Sequence, residues 1–157
     1  MPATNQPTQT STPRGGSRHL AHLLADAKDA VVLALAEQMR ARGYGDIRPS
    51  HGCVFRFIDP VEGSRLTYLA ERGHLTKQAV GEMVSDLEQL GYVERVPDPS
   101  DGRAKLVRLT ALGRESHAAA LECFAAIEAA WAERFGLERV TEMRRLLEQV
   151  TAEDLRT

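Results

Sequence analysis

The chain has 157 residues, a hydrophobic fraction of 43% and a formal net charge of −2. This length is typical of a single domain with an extension, and it allows well over half of the unfolded surface to be buried. The sequence contains neither a secretory signal nor an apolar run of the about 18 residues that a transmembrane helix needs, so we expect a cytoplasmic protein. The slightly acidic balance argues against a general nucleic-acid binder, but it allows one whose cations occupy a small face.

The first part of the chain is predicted to be a tail followed by two helices. Residues 1–16 lack large apolar side chains, so burial cannot offset the entropy lost on ordering, and we expect a disordered tail. Ser17 is expected to cap a helix that runs to about Arg42, because apolar residues recur there at a spacing of three to four. A second, short helix is predicted from Ser50 to Ile58.

The middle of the chain predicts a small strand, two helices and a hairpin. Arg65-Leu66 is expected to form the strand, and Thr67 to cap a helix that stops at Gly73. Thr76 is expected to cap the next helix, which ends at Gly91. Alternating polarity then predicts two hairpin strands, 92–96 and 105–109.

Two further helices are predicted after the hairpin. Thr110 is expected to cap a helix from Ala111 to about Phe135, which would be about 38 Å long. Leu137 to Val150 forms the last one. The chain therefore divides into a tail (1–16), N-terminal helices (17–58), a central lobe (59–109) and C-terminal helices (110–157).

The helix after Thr76 has two unlike faces. With 100° per residue, one face collects apolar residues that we expect to be buried: Val80, Met83, Val84, Leu87 and Leu90. The opposite face carries hydrogen-bonding groups, and such a helix fits the major groove of DNA. Gln78 could pair with adenine, Glu82 could accept from cytosine N4, and Lys77 could reach guanine or a phosphate. A solvated helix face is the alternative explanation of the same pattern.

The hairpin strengthens the DNA interpretation. Pro97 and Pro99 restrict the backbone, and Arg103 follows a turn in which Asp101 could orient it. An arginine on a stiff ribbon suits a narrow minor groove. However, residues 72–108 contain six Lys/Arg and six Asp/Glu. We therefore expect the charges to be sorted. The cations toward phosphates would be Lys77, Arg95, Arg103 and Lys105, and the acids turned away would be Glu88, Glu94 and Asp98.

The order of these elements resembles the multiple antibiotic resistance regulator (MarR) family of bacterial winged-helix transcription factors. The likeness is specific over about residues 65–114 and looser, by element order, on either side. It rests on five matching segments: Leu69-Ala70, Leu75–Val80, Leu87–Arg95, Asp98–Arg103 and Leu109–Arg114.

The resemblance implies a mostly α fold with a small β-wing, in which the winged helix-turn-helix is flanked by N- and C-terminal dimerisation helices. It implies a homodimer on a palindromic or pseudo-palindromic DNA operator, and it suggests a repressor that responds to a small-molecule effector. With the helix face and the wing, it assigns DNA binding to Thr76, Lys77, Gln78, Gly81, Glu82, Ser85, Arg95, Asp101, Arg103 and Lys105. By analogy, a ligand-binding pocket would be lined by Tyr44, Arg48, His51 and Phe55.

Other functions remain open at this point. The even charge balance of the lobe also fits a winged-helix module that binds proteins rather than specific DNA. A redox role for Cys53, near His51 and Arg56, is the less favoured interpretation, since a lone cysteine is usually a small buried hydrophobe. No phosphate loop, nucleophile elbow or zinc-protease motif occurs, so we expect no enzyme activity, no cofactor and no metal site.

Overall fold

The computed structural model describes residues 18–152, which form a mostly helical chain with one small antiparallel sheet, as predicted. The predicted tail and the cap at Ser17 lie outside these residues. In chain order the elements are α1 (Leu20–Ala41), a 3-10 turn (Pro49–His51), α2 (Gly52–Phe57), β1 (Ser64–Arg65), α3 (Leu66–Gly73), α4 (Lys77–Gln89), β2 (Val93–Asp98), β3 (Asp101–Leu109), α5 (Ala111–Phe135) and α6 (Leu137–Ala152).

The sheet has the strand order β1-β3-β2 and forms the wing. Val93 pairs with Leu109 at the base of the hairpin, and Pro97 pairs with Lys105 near its tip. β1 adds a short pairing of Ser64 with Val107. The strands extend further toward the tip than the polarity pattern predicted, because backbone pairing continues through residues whose side chains are exposed.

One hydrophobic core joins α2, α3, α4 and the base of the wing. Its fully buried side chains include Val54, Leu69, Val80, Val84, Leu87 and Leu109. Burial of this kind contributes about 1.5–3 kcal/mol for each large aliphatic side chain. The prediction for the inner face of α4 was wrong at Leu90, which is 38% exposed because the helix ends at Gln89 and Leu90 is its C-cap.

The ends of α3 differ from the sequence prediction. Arg65 occupies the N-cap position, so Thr67 lies inside the helix rather than capping it. Gly73 lies in the last turn, and His74 takes the left-handed conformation with φ 52°. A Cβ on Gly73 would lie 2.4 Å from Sγ of Cys53. The glycine is therefore required for close packing of α3 on α2, not for ending the helix.

The short helix before the lobe is also interrupted. The predicted helix from Ser50 to Ile58 consists of the 3-10 turn followed by α2. The predicted bounds of α5 and its cap are confirmed, since the Thr110 side chain accepts a hydrogen bond from the Gly113 N–H at 3.1 Å.

The three long helices pack on one another beside the lobe. α5 contacts both α1 and α6. The buried residues of α5 are Gly113, Ser116, Cys123 and Ile127. Leu112, Phe124 and Phe135 of the same helix are 39–51% exposed. Within residues 18–152, none of the helices is long and apolar enough to cross a membrane.

Candidate nucleic-acid interface

Helix α4 presents a polar face to solvent. The Thr76 side chain caps it by accepting the Ala79 N–H at 3.1 Å, which satisfies one of the free donors of the first turn. Val80, Val84 and Leu87 are fully buried and fix the helix on the core. The opposite face, which includes Lys77, Gln78 and Glu82, is exposed.

Gln78 and Glu82 are neighbours on this exposed face. Nε2 of Gln78 donates a hydrogen bond to Oε1 of Glu82 at 3.2 Å. A carboxylate only accepts hydrogen bonds, so the amide must turn its NH₂ group toward Glu82. The Gln78 carbonyl oxygen and one carboxylate oxygen of Glu82 stay available to a binding partner.

Ser85 and Arg95 are turned inward instead. The Ser85 hydroxyl donates to the Gly81 carbonyl at 2.8 Å and accepts from the Arg95 guanidinium at 3.0 Å. Arg95 also forms an ion pair with Glu88. The predicted sorting, with Arg95 toward phosphates and Glu88 turned away, therefore does not occur. Arg95 holds β2 against α4.

Gly81 lies on α4 with space around it. A Cβ there would meet only Cδ1 of Leu66, at 3.9 Å, which is ordinary van der Waals contact. Internal packing thus does not explain this glycine, although glycine within a helix costs about 1 kcal/mol relative to alanine. Close approach of an external molecule would explain it.

The wing is braced near its tip by a buried carboxylate. Asp98 is 5% exposed. It accepts hydrogen bonds from the Ser100 hydroxyl at 2.7 Å, the Ser100 N–H at 2.8 Å and Nε of Arg65 at 2.7 Å. The two bonds from Ser100 and then the one from Arg65 lower the pKa of Asp98 to about 2. The charge balance predicted only that Asp98 would turn away from DNA. The Asp-Pro-Ser turn pattern was the signal that could have revealed the brace.

Arg103 and Lys105 lie at the far end of the wing and are exposed. Asp101 accepts the backbone N–H of Arg103 at 3.1 Å. Asp101 therefore shapes the turn rather than orienting the Arg103 guanidinium. The Arg103 side chain extends from the part of β3 that directly follows this turn.

The ion pairs leave a small set of unpaired cations on this surface. Four arginines in or beside the lobe are paired with its acids: Arg48 with Asp86, Arg65 with Asp98, Arg95 with Glu88 and Arg108 with Glu94. Within the part of the chain that the structure describes, Lys77, Arg103 and Lys105 form no ion pair. The near-neutral lobe thus still presents positive charge at the start of α4 and on the wing.

The four residues predicted to line a ligand pocket lie in two neighbouring clusters. The rings of Tyr44 and Phe55 both contact Tyr92 edge-on, with centroids 6.4 and 6.3 Å apart. The Tyr92 hydroxyl donates to Asp46 at 2.7 Å, and burial together with this bond raises the pKa of Tyr92.

The second cluster contains Arg48 and His51. His51 is fully buried, and its Nδ1 accepts the Arg48 backbone N–H at 3.2 Å. Its Nε2 lies 3.2 Å from the Arg48 guanidinium, which pairs with Asp86 of α4. Burial and the Arg48 charge lower the pKa of His51. In this conformation His51 holds the connector before α2 and does not present its ring to a ligand.

Cys53 does not have the properties of a reactive thiol. Burial raises its pKa, and the nearby Arg56 offsets this only in part. Both cysteines are free, and Cys123 is buried. The geometry therefore argues against the redox interpretation of Cys53.

An apolar groove lies between α1 and α6, away from the wing. Its volume is about 880 Å³. Leu20 is 70% exposed there, and Leu24, Leu146 and Val150 are 42–49% exposed. These side chains form a row of large, partly exposed apolar groups along the groove.

Comparison with known proteins identifies relatives of the lobe and of the fold. The model described as MarR family matches residues 46–104. The transcriptional regulator HosA of Escherichia coli O111:H- is 36% identical over 76 residues, which cover 48% of this chain and 56% of HosA. The sequence match thus spans little more than half the length of that relative.

Two solved structures extend the likeness beyond the lobe. The reduced form of MarR from Escherichia coli has a TM-score of 0.74 at 21% identity, with 87% of this chain and 98% of that chain covered. PcaV of Streptomyces coelicolor, solved with its natural ligand, has a TM-score of 0.67 at 21% identity and covers 90% and 98%. Residues 46–104 are thus similar to the MarR family in sequence, and most of the chain shares the fold of these two structures.

Proposed function

We propose that this chain is a homodimeric, sequence-specific DNA-binding transcription regulator. The two copies would bind a palindromic or pseudo-palindromic operator, repress from it, and release it when a small molecule binds. The observation that carries the proposal is the outward face of α4, with Lys77, Gln78 and Glu82 exposed, next to a braced wing that ends in Arg103. A helix of this kind fits the major groove, and an arginine on a ribbon fits the minor groove.

The charge distribution supports a specific rather than a general DNA binder. Three cations of the proposed interface in each copy, Lys77, Arg103 and Lys105, lie outside the described ion pairs. Two copies would bring six of them to the duplex. If all six contact phosphates, the logarithm of affinity should fall with the logarithm of salt at a slope of about −5. One copy alone would bind weakly, so the dimer is part of the mechanism.

The apolar groove between α1 and α6 supports a second copy of this chain as the partner. The groove is lined by Leu20, Leu24 and Leu146, among other apolar side chains. α5 leaves Phe124 and Phe135 exposed as well. A closed two-fold dimer buries the same surface on both copies. It would also set the two α4 helices about 34 Å apart, which is one turn of DNA.

A small-molecule effector would act through Arg48. PcaV was solved with its natural ligand. In this chain, Arg48 pairs with Asp86 of α4, and the rings of Tyr44 and Phe55 contact Tyr92 in a neighbouring cluster. A ligand that displaced Arg48 would release a contact of the DNA-reading helix. Its binding should raise the melting temperature in proportion to occupancy.

Enrichment of bound sequences from random DNA duplexes tests the function. We expect a motif with two-fold symmetry, because each half-site would be read by one copy. If no motif is enriched, the alternative of a winged-helix module that binds proteins is favoured. A symmetric motif would establish DNA recognition and dimer symmetry together.

A matched pair of wing variants then tests the interface. Arg103→Ala should weaken binding to the enriched duplex by about 1–3 kcal/mol while leaving the dimer intact. Arg108→Ala is the control, because Arg108 lies on the same strand but is held by Glu94 at 2.8 Å. Equal affinities for wild type and Arg103→Ala at fixed salt would refute the assignment of the wing.

A further inference from the structure

We propose that Gln78 reads adenine, and that Glu82, acting only as a hydrogen-bond acceptor, selects cytosine in each half-site. The inference rests on the proposed DNA-binding function and assigns the base specificity of that site. It follows from which side chains of α4 already form hydrogen bonds inside the protein and which do not.

Internal contacts already occupy two side chains, one on α4 and one on the wing, so neither is available to contact a base. The Ser85 hydroxyl is used by the Gly81 carbonyl and by Arg95. Arg95 is held by Glu88 and Ser85. Lys77, Gln78 and Glu82 are the groups near the start of the helix that stay available.

The Gln78–Glu82 hydrogen bond fixes the orientation of the Gln78 amide group. Because the Gln78 NH₂ donates to Glu82, its carbonyl oxygen and its second N–H point elsewhere. This is the donor and acceptor set that pairs with adenine N6 and N7. Gln78 therefore reaches the groove with one of its two N–H groups already used and with its rotation restricted.

Glu82 should discriminate among bases more strongly than Gln78, because a carboxylate can only accept hydrogen bonds. Across residues 18–152 it forms no ion pair, and its described side-chain hydrogen bond is the one from Gln78. In the major groove, hydrogen-bond donors are the amino groups of cytosine and adenine. Guanine and thymine present acceptors to a carboxylate there, and phosphates repel it. Glu82 thus excludes guanine and thymine as well as selecting cytosine or adenine.

The spacing of the two residues sets the distance between the bases. Residues four apart on a helix are separated by about 6 Å along its axis. Bases on one strand rise by about 3.4 Å. The base read by Glu82 should therefore be the first or second neighbour of the adenine read by Gln78, with cytosine preferred there.

Selection from random duplexes with wild type, Glu82→Gln and Glu71→Gln tests the inference. Glutamine has the same shape but adds a donor, so Glu82→Gln should admit guanine and thymine at one symmetric pair of positions. Discrimination there should fall by about 5- to 150-fold. Glu71→Gln removes an equal charge from the exposed surface of α3 and should keep the wild-type motif.

The outcomes separate this inference from the function on which it rests. If wild type enriches no motif, the proposed function fails, and this inference fails with it. If wild type enriches a motif that Glu82→Gln leaves unchanged, or weakens uniformly for all sequences, only the role of Glu82 is refuted. A purine nucleoside without the N6 amino group, placed at the selected adenine, tests Gln78 in the same way: wild type should lose affinity and Gln78→Ala should be indifferent.

Discussion

Arg65 donates a hydrogen bond through Nε to the buried carboxylate of Asp98 at 2.7 Å, which joins the start of α3 to the wing near its tip. The orientation of the wing tip therefore depends on this contact. We expect Asp98→Asn to weaken DNA binding although Asp98 is buried, because the tip carrying Arg103 would lose its fixed orientation. Titration of the enriched duplex with wild type and variant would measure this. Retention of full affinity would show that the brace serves stability alone.

The same brace gives a pH dependence with a defined sign. The folded pKa of Asp98, about 2, lies below the ordinary value of 3.8. The stabilisation is therefore fully present above pH 3.8 and is lost as pH falls through about 2. Acid unfolding of wild type and Asp98→Asn should show a stability difference that shrinks across this window. A difference independent of pH would mean that the carboxylate charge contributes nothing.

Gly81→Ala should separate stability from DNA affinity. A Cβ at this position has room, with Leu66 Cδ1 at 3.9 Å, so alanine should stabilise α4 by up to about 1 kcal/mol. The affinity for the enriched duplex should nevertheless fall, because the new methyl group would lie on the proposed DNA-binding face. Thermal unfolding and duplex titration of the same sample would test both. A rise in both quantities would remove Gly81 from the interface.

Gly73→Ala should have the opposite effect on stability. Its Cβ would lie 2.4 Å from Sγ of Cys53, an overpacking that costs about 1–3 kcal/mol. The double variant Gly73→Ala/Cys53→Ala should recover most of this loss, because it removes the sulfur that the methyl group meets. Denaturant unfolding of the two single variants and the double variant gives the coupling energy. Additive losses would place the cause in the backbone of α3 rather than in this contact.

His51 should make the protein less stable in mild acid. Both ring nitrogens face Arg48, Asp86 of α4 lies 3.8 Å from Nε2, and the folded pKa is below 6.5. The contribution of neutral His51 to the free energy of unfolding is therefore fully present above pH 6.5. It is lost as the pH drops from there through the folded pKa. His51→Asn keeps an acceptor for the Arg48 N–H and cannot titrate, so its melting temperature should vary less between pH 7.5 and 5. Parallel curves for the two proteins would contradict the assignment.

Leu146→Glu should convert the proposed dimer into a monomer. The charge would enter the apolar groove between α1 and α6, where desolvation without a partner costs several kcal/mol. Sedimentation would report the mass and duplex titration the loss of affinity. Val61→Glu is the control, because Val61 is 75% exposed in the loop between α2 and β1. An unchanged mass for Leu146→Glu would place the interface elsewhere.

Local sequence patterns were sufficient to predict the element types. They also predicted the inner face of α4, with Val80, Val84 and Leu87, and the caps at Thr76 and Thr110. These follow from periodicity and from side chains that bond their own backbone, which are local properties. The family likeness also lies in the sequence, over residues 46–104.

The tertiary structure was needed to show which polar groups already form hydrogen bonds or ion pairs inside the protein. Arg95 and Ser85 resemble DNA contacts in the sequence, but β2 lies against α4 and pairs Arg95 with Glu88. Gly73 resembles a helix stop, but the sulfur of Cys53 packs against it. The partners are 7 and 20 positions apart in the chain, and no periodicity encodes such a contact. The physical reason is that hydrogen-bonding capacity is set by residue type, whereas its use depends on which groups folding brings within about 3 Å.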